Sequence, residues 1–513
     1  MVPKRQAPAK QPQGVSRRIG SRFRSVMSVD PPSLEPDLDP ADWPALRAQA
    51  HRMLDDMLDH MQGAGEEPVW RPAPAAVRDS FSADLPRAPR ALEAVHSEFR
   101  RTVLPYGAGN AHPRFFGWVH GGGNVAGMLA EMLAAGLNAN LGGRDQTPIQ
   151  LERQVTRWMA ELFGFPSTAS GLFVTGASMA NLIAVLVARA DALGVGSRQT
   201  GAGEVGGKLR AYASCMAHGC IAKAMDMAGL GSDALRSIAV DAEGRMDLAA
   251  LGAAVAADRA AGLAPFLLVG TAGGVDTGAI DDLAALARIA REQRLWLHVD
   301  GAFGALAKLS PELAPLLNGI EQTDSITFDF HKWGQAPYDA GFILVRDAAK
   351  HQAAFATTAA YLRREAKGLA AGAPWPCDFG PDLSRGFRAL KVWFAFKTYG
   401  ADAIGATILN TCRLGAYLAA RVDAEPQLER MAPAPLNIVC FRYRAGTESD
   451  RLNSEIVLAL QTSGVAAPST TVIDGALTIR AAIVNHRTRA EDIDLLIAEV
   501  LRLGRSLSQG HAA

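Results

Sequence analysis

The sequence predicts an α/β protein built on a mainly parallel sheet, and three observations carry that expectation. From about 111 to 400, short apolar runs (LFVTG, RAYAS, FLLVGT, LWLHVDG, SITFDF, GFILVRD) alternate with helical stretches such as DLAALARIAREQR, the rhythm of strands joined by crossover helices. The stretch from Phe173 to Leu182, FVTGASMANL, reads as a strand, a tight turn and the start of a buried helix. Finally, LWLHVD is an apolar run ending in Asp300, which puts a carboxylate at the edge of the sheet where such folds bind ligands.

Taken in chain order, residues 1–38 are expected to be a disordered basic tail. The first 29 contain seven Lys or Arg and no acid, with no secretory apolar core, and a transit peptide or an anionic contact are the other readings. Residues 39–110 read as an N-terminal helical arm, in which Leu46, Ala50, Met53, Met57 and Met61 form one stripe. Residues 111–400 form the large domain. Within it LERQVTRWMAELFGFP repeats apolar residues at helical spacing and stops at Gly164 and Pro166. Residues 401–513 form a small α+β domain: LNIVCFRYRAG is a strand, LNSEIVLALQTSG a helix, TVIDGALTIRAAIV a hairpin through Asp474-Gly475, and Thr488 to Glu491 a capping box for the last helix.

Composition narrows the function. Lys plus Arg equals Asp plus Glu at 52 each, so no net field draws the chain to nucleic acid or to an anionic membrane. No apolar run reaches the ~18 residues of a membrane span. Five scattered cysteines without a CxxC pair argue for reduced thiols and a cytoplasmic setting. Cys215, His218 and Cys220 lack a fourth ligand, so no metal site is read there.

The turn at Gly176-Ala177-Ser178 can take a phosphate, because free N–H groups and the positive end of the helix macrodipole meet there. That phosphate could belong to a dinucleotide, as in short-chain oxidoreductases, or to a smaller cofactor. Met179, Ala180 and Asn181 occupy the places where a dinucleotide turn needs further glycines. Two more sites decide between them. Lys332 follows a histidine at the end of the buried run SITFDF, and Asp300 ends another. Pyridoxal 5′-phosphate needs an amine to bond its aldehyde, an acid beside its ring nitrogen and an N–H-rich turn for its phosphate. Lys332, Asp300 and the turn at 176–178 supply all three, in the order seen in fold type I enzymes. His218, between turn and aspartate, is placed to stack on the cofactor ring.

With the runs HPRFF, LFVTGAS, AHGCIAKAMDMAGL, LWLHVDGAFGA, DFHKWG and SRGFRALKVWFAFKTYG in that order, the chain resembles the group II pyridoxal-phosphate decarboxylases, the aromatic-L-amino-acid decarboxylase family, over about residues 40–500. The resemblance implies the pyridoxal-phosphate transferase fold of type I. It further implies that Lys332 bonds the cofactor, Asp300 pairs with its ring nitrogen, His218 stacks on one ring face and Ala302 packs the other. Ala177 and Ser178 would hold the phosphate, His331 would help seat it, and Asp329 lies where many relatives have Asn. The implied reaction is decarboxylation of an L-amino acid, aromatic in first expectation, to an amine and CO2. Oxidative deamination to an aldehyde and transamination are the alternatives. Phe115 and Trp118 are expected as aromatic walls of the substrate site, with Gly121 and Asn140 beside them, the 138–145 loop reaching across a homodimer. The chain departs from the pattern at His120-Gly121, where relatives have Pro-Thr, and at Gly273-Gly274-Val275, where they have Gly-Thr-Thr. The third departure is between Tyr361 and Leu383, where the lid tyrosine of animal relatives has no counterpart and Trp375-Pro376 stands near its place. The proton donor is therefore left unassigned.

Overall fold

A computed structural model describes residues 38–357 and 363–509; the basic tail and Tyr361 lie outside them. Residues up to Arg52 and residues from Met53 onward form separate compact units. The described part of the first holds the start of the helix Trp43–Gln62. Along the stripe of that helix Leu46, Met53, Met57 and Met61 are half-buried and Ala50 is exposed.

The second unit is organised by a seven-stranded sheet. In chain order its strands are β2 (Ser170–Val174), β3 (Leu209–Ser214), β4 (Leu235–Ile238), β5 (Ala264–Thr271), β6 (Trp296–Asp300), β7 (Ser325–Asp329) and β8 (Gly341–Val345), after a two-residue β1 (Phe115–Phe116) that lies elsewhere. Their spatial order is β2-β8-β7-β6-β5-β3-β4. Strands β3 to β7 run parallel, whereas β8 is antiparallel to both β2 and β7. Apolar runs such as LFV, FLLV and FILV are buried on both faces, as strands covered by helices on each side must be. The helix Ala177–Leu193 covers one face, with the helix Cys220–Met227 beside it, and the helices Thr147–Leu162 and Leu283–Gln293 contribute to the core on the other.

A second sheet, in the order β1-β11-β12-β10-β9, is built from β9 (Leu428–Arg430), β10 (Ile438–Tyr443), β11 (Ala467–Ile473) and β12 (Ala476–Ala482), with β1 joining β11 in parallel. The hairpin turns through Asp474 and Gly475, whose φ values are 49° and 78°, the left-handed pair that such a two-residue turn requires. The capping box at Thr488 does not form. Its hydroxyl donates to the Pro113 carbonyl, and Asp492 instead accepts the Arg489 N–H ahead of the helix Ala490–Gln509.

Candidate active site

The carboxyl ends of β2, β3, β5, β6 and β7 open on one cavity of about 380 Å3, in the range of small-molecule sites. Beyond β2, Gly176 is fully extended (φ 177°, ψ 174°) and the helix begins at Ala177. Met179 and Ala180 both donate to the Gly176 carbonyl, so the N–H groups of Ala177 and Ser178 precede the intrahelical ladder. Gly341 makes this turn possible, since a Cβ there would lie 2.3 Å from the Gly176 Cα.

Asp300 closes β6 and is buried. Its Oδ1 accepts the Ala302 N–H at 3.1 Å and its Oδ2 the Asn181 amide at 2.9 Å. Past the end of β7, Lys332 Nζ lies 3.0 Å from Asp329 Oδ2, and His331 Nε2 lies 3.6 Å from the same oxygen. His331 Nδ1 accepts the Ala340 N–H. Burial, only partly opposed by the Asp329 carboxylate, pushes His331 down to about 4, so the ring is neutral near pH 7. The other Asp329 oxygen is buried without a partner among the described residues. His218 is exposed, lines the cavity, and accepts the Cys220 N–H on Nδ1 at 3.2 Å.

One wall is aromatic. The His120 ring stacks on Phe115 at 5.7 Å and on Trp118 at 5.9 Å and meets the Tyr338 ring edge-on at 5.7 Å, while Tyr338 lies 4.3 Å from His331. Burial, then the Lys332 charge, lower the His120 pKa, and burial raises that of the Tyr338 phenol.

Of the residues expected at the site, Lys332, Asp300, His218, Ala177, Ser178, Ala302, Asp329, His331 and Trp118 line this cavity together. Phe115, Gly121 and Asn140 do not. Phe115 is buried behind Trp118 and His120. Gly121 lies under the lysine-bearing turn: its N–H donates to the His331 carbonyl, and a Cβ would come within 2.4 Å and 2.5 Å of the His331 and Lys332 carbonyl oxygens. Asn140 Oδ1 accepts from the Gly142 and Arg385 N–H groups, so in this chain it shapes its own loop. Trp375 is buried between the Arg144 and Arg364 guanidinium groups and donates to the Ala371 carbonyl, and it is absent from the cavity wall.

Four further groups emerge only from the structure. Tyr338 completes the wall, and Asn181 and His298 stand behind Asp300. Arg480 of β12 donates to the carbonyls of Trp118 and Val275, two cavity residues, and so ties the C-terminal sheet to the site. Asn181, His298 and Arg480 show in the sequence as polar residues inside apolar runs, a faint signal without a known partner, and Tyr338 stands in a turn-like stretch with no pattern.

A buried carboxylate, a primary amine and a helix start with free N–H groups on one cavity fit pyridoxal phosphate, and Asp329 keeps one buried oxygen without a donor among the described residues. Fold and site thus define a pyridoxal-phosphate enzyme of fold type I. The conserved domain of the pyridoxal-dependent decarboxylases matches residues 74–444, and the chain belongs to that family as an amino acid decarboxylase. It is 30% identical to an aromatic-L-amino-acid decarboxylase of Bacillus atrophaeus (90% of this chain, 96% of the relative) and 31% to an L-2,4-diaminobutyrate decarboxylase of Rhizobium meliloti (83% and 85%). Among solved structures it resembles an Oryza sativa TDC holding pyridoxal phosphate and tryptamine, with a TM-score of 0.84, 25% identity and coverage of 92% of this chain and all of that one.

Proposed function

We propose that the enzyme decarboxylates an aromatic L-amino acid to its amine, and the observation that carries this is the ring wall of Trp118, His120 and Tyr338, backed by Phe115. Flat side chains stack on such a surface. The names of the Bacillus and Oryza relatives agree with this reading.

In this reading Lys332 provides the amine that carries the cofactor and Asp300 faces its ring nitrogen. Ala177 and Ser178 donate N–H groups to its phosphate, with His331 alongside. His218 and Ala302, both on the cavity wall, would pack against the two faces of its ring. When bound, pyridoxal phosphate supplies the electron sink for the bond to the departing carboxylate. Asp329 Oδ2 holds Lys332 Nζ at 3.0 Å. His218, exposed at the cavity, delivers the proton to the substrate's α-carbon, with the Tyr338 phenol as a second donor on the opposite wall.

Two structural proposals accompany the chemistry. The exposed Met132, Leu133 and Leu137 on the helix Val125–Leu137, together with the half-buried methionine stripe, support a homodimer. Five free thiols support work in a reducing, cytoplasmic setting. An aldehyde product is the second reading, favoured by Trp375 being buried away from the cavity.

The test is a screen of the twenty amino acids and 2,4-diaminobutyrate for released CO2, with each product identified as amine or aldehyde. Aromatic substrates are expected to lead, and release from diaminobutyrate or an acidic amino acid alone would overturn the reading. Borohydride should fix the cofactor to Lys332. A label on Lys391, which is buried and paired with Glu131 at 2.8 Å, would overturn the site assignment.

A further inference from the structure

We propose that Asn181 and His298 form a directed hydrogen-bond relay that orients the Asp300 carboxylate, making both of them positioning residues for the cofactor's ring nitrogen. The inference rests on the reading of Asp300 given above.

The relay follows from which groups can donate. A carboxylate accepts, so the Asn181 end that meets Asp300 Oδ2 at 2.9 Å is its amide Nδ2. Its Oδ1 then faces His298 Nε2 at 2.8 Å and needs a donor, which places the imidazole proton on Nε2. His298 Nδ1 is left as an acceptor, 2.8 Å from the Ser325 hydroxyl. The Ser325 oxygen in turn accepts the Trp296 indole N–H at 2.9 Å. Every proton in this chain thus points the same way, from Trp296 through Ser325, His298 and Asn181 to Asp300.

The fold builds this line. Trp296, His298 and Asp300 alternate along β6 and so share one face of the sheet. Ser325 of β7 is the residue paired with His298 in the register. Asn181 reaches down from the first turns of the helix Ala177–Leu193, whose start is the phosphate turn. Asn181, His298 and Ser325 are fully buried, and burial pushes His298 down to about 4. Its ring is therefore neutral at working pH and keeps one tautomer. A buried amide whose two ends make opposite demands cannot turn over without losing both bonds. The phosphate turn and the ring-nitrogen acid are in this way fixed relative to each other by one side chain. Cys220 Sγ, 3.2 Å from the same Nδ2, is a weak acceptor and does not compete.

The experiment titrates apoenzyme variants with pyridoxal phosphate and records the dissociation constant, the absorption spectrum and kcat against KM. Asn181→Leu and His298→Leu should each weaken cofactor binding about ten- to a hundredfold, the range expected for one hydrogen bond to a charged group, and should lower kcat more than they raise KM. His298→Gln keeps an N–H toward Asn181 and should recover binding to within about threefold. Should the leucine variants fail to fold, Ser325→Ala removes one hydroxyl and lets the ring exchange tautomers. The ring then holds the Asn181 amide less firmly, and binding should weaken severalfold. Folded variants with wild-type affinity and spectrum overturn the relay, as does a His298→Gln protein no better than His298→Leu. Asp300→Asn separates the two levels. If it binds and reacts normally, the reading of Asp300 falls and takes the relay with it; if it is crippled while Asn181→Leu and Ser325→Ala are normal, the relay alone is wrong.

Discussion

Replacing Gly121 with Ala tests how the lysine-bearing turn is held. The added Cβ would sit 2.4 Å from the His331 carbonyl oxygen and 2.5 Å from that of Lys332, inside the 3.0 Å that real Cβ atoms keep. The shortfalls are 0.6 Å and 0.5 Å, and both neighbours are backbone, which cannot swing aside as a side chain can. The movement must pass to the turn that carries Lys332 or to residues 120–122, whose Gly121 N–H bond to His331 is 3.1 Å long and whose carbonyl is held by Asn110 at 2.9 Å. Misplacement of a catalytic group by 1 Å costs about 10²-fold, so a shift of roughly half that should lower kcat/KM by about tenfold or more. The assay is kcat/KM together with the fraction of cofactor that borohydride fixes to Lys332. Gly107→Ala, with nothing within 4 Å of its added Cβ, is the control and should be silent. A Gly121→Ala enzyme with wild-type kcat/KM and full labelling would refute the reasoning.

Arg385→Met should strongly destabilise the protein. Arg385 and Glu152 are a buried pair 2.6 Å apart, and the guanidinium also donates to the Phe173 and Leu141 carbonyls; breaking such a pair costs about 3–5 kcal/mol. Urea denaturation would show the loss, and a shift below about 1 kcal/mol would contradict the assignment. His218→Asn should retain the bound-cofactor spectrum, lose about 10²-fold or more in amine formation, and consume dioxygen as some product emerges as aldehyde; unchanged turnover and product ratio would make His218 structural only. The apoprotein should lose stability as pH falls from about 6.5 to about 4. His298, His331 and His486 are pushed by burial to about 4, so the unfolded chain binds their protons first and stability is retained above the unfolded value. A urea midpoint unchanged between pH 7.5 and pH 5 would contradict this.

Much of the large sheet is legible in the sequence because strands buried on both faces have little choice but to be continuous apolar runs, and LFVTG, FLLVGT and GFILVRD are such runs. β4 is not legible. Its four residues, LRSI, form an edge strand with only Ile238 buried, so no pattern is imposed on them. β1 is two residues long and exists because β11 passes beside it, a pairing across some 350 residues that no local signal encodes. The capping box failed for a related reason: the tertiary fold turns the Thr488 hydroxyl to the Pro113 carbonyl, and Asp492 takes the Arg489 N–H instead.

The same distinction separates the site residues. Lys332, Asp300, Ser178 and His218 sit at strand ends or helix starts, where the chemistry demanded by the cofactor and the local pattern coincide, and they meet in one cavity. Gly121 and Asn140 have no such anchor: Gly121 gives clearance beneath a turn, and Asn140 organises the loop that the homodimer reading carries toward the partner's cavity. Asn181 is the instructive middle case. In the sequence it stands where a dinucleotide turn would want a glycine, and so it argues against one reading without suggesting another. Its value lies in both ends of its amide, one on a helix-facing carboxylate and the other on a strand histidine 117 positions away. A side chain that satisfies two distant groups at once can be recognised only when both are in place. That is why Asp300 is visible in the sequence and the residues hydrogen-bonded behind it are not.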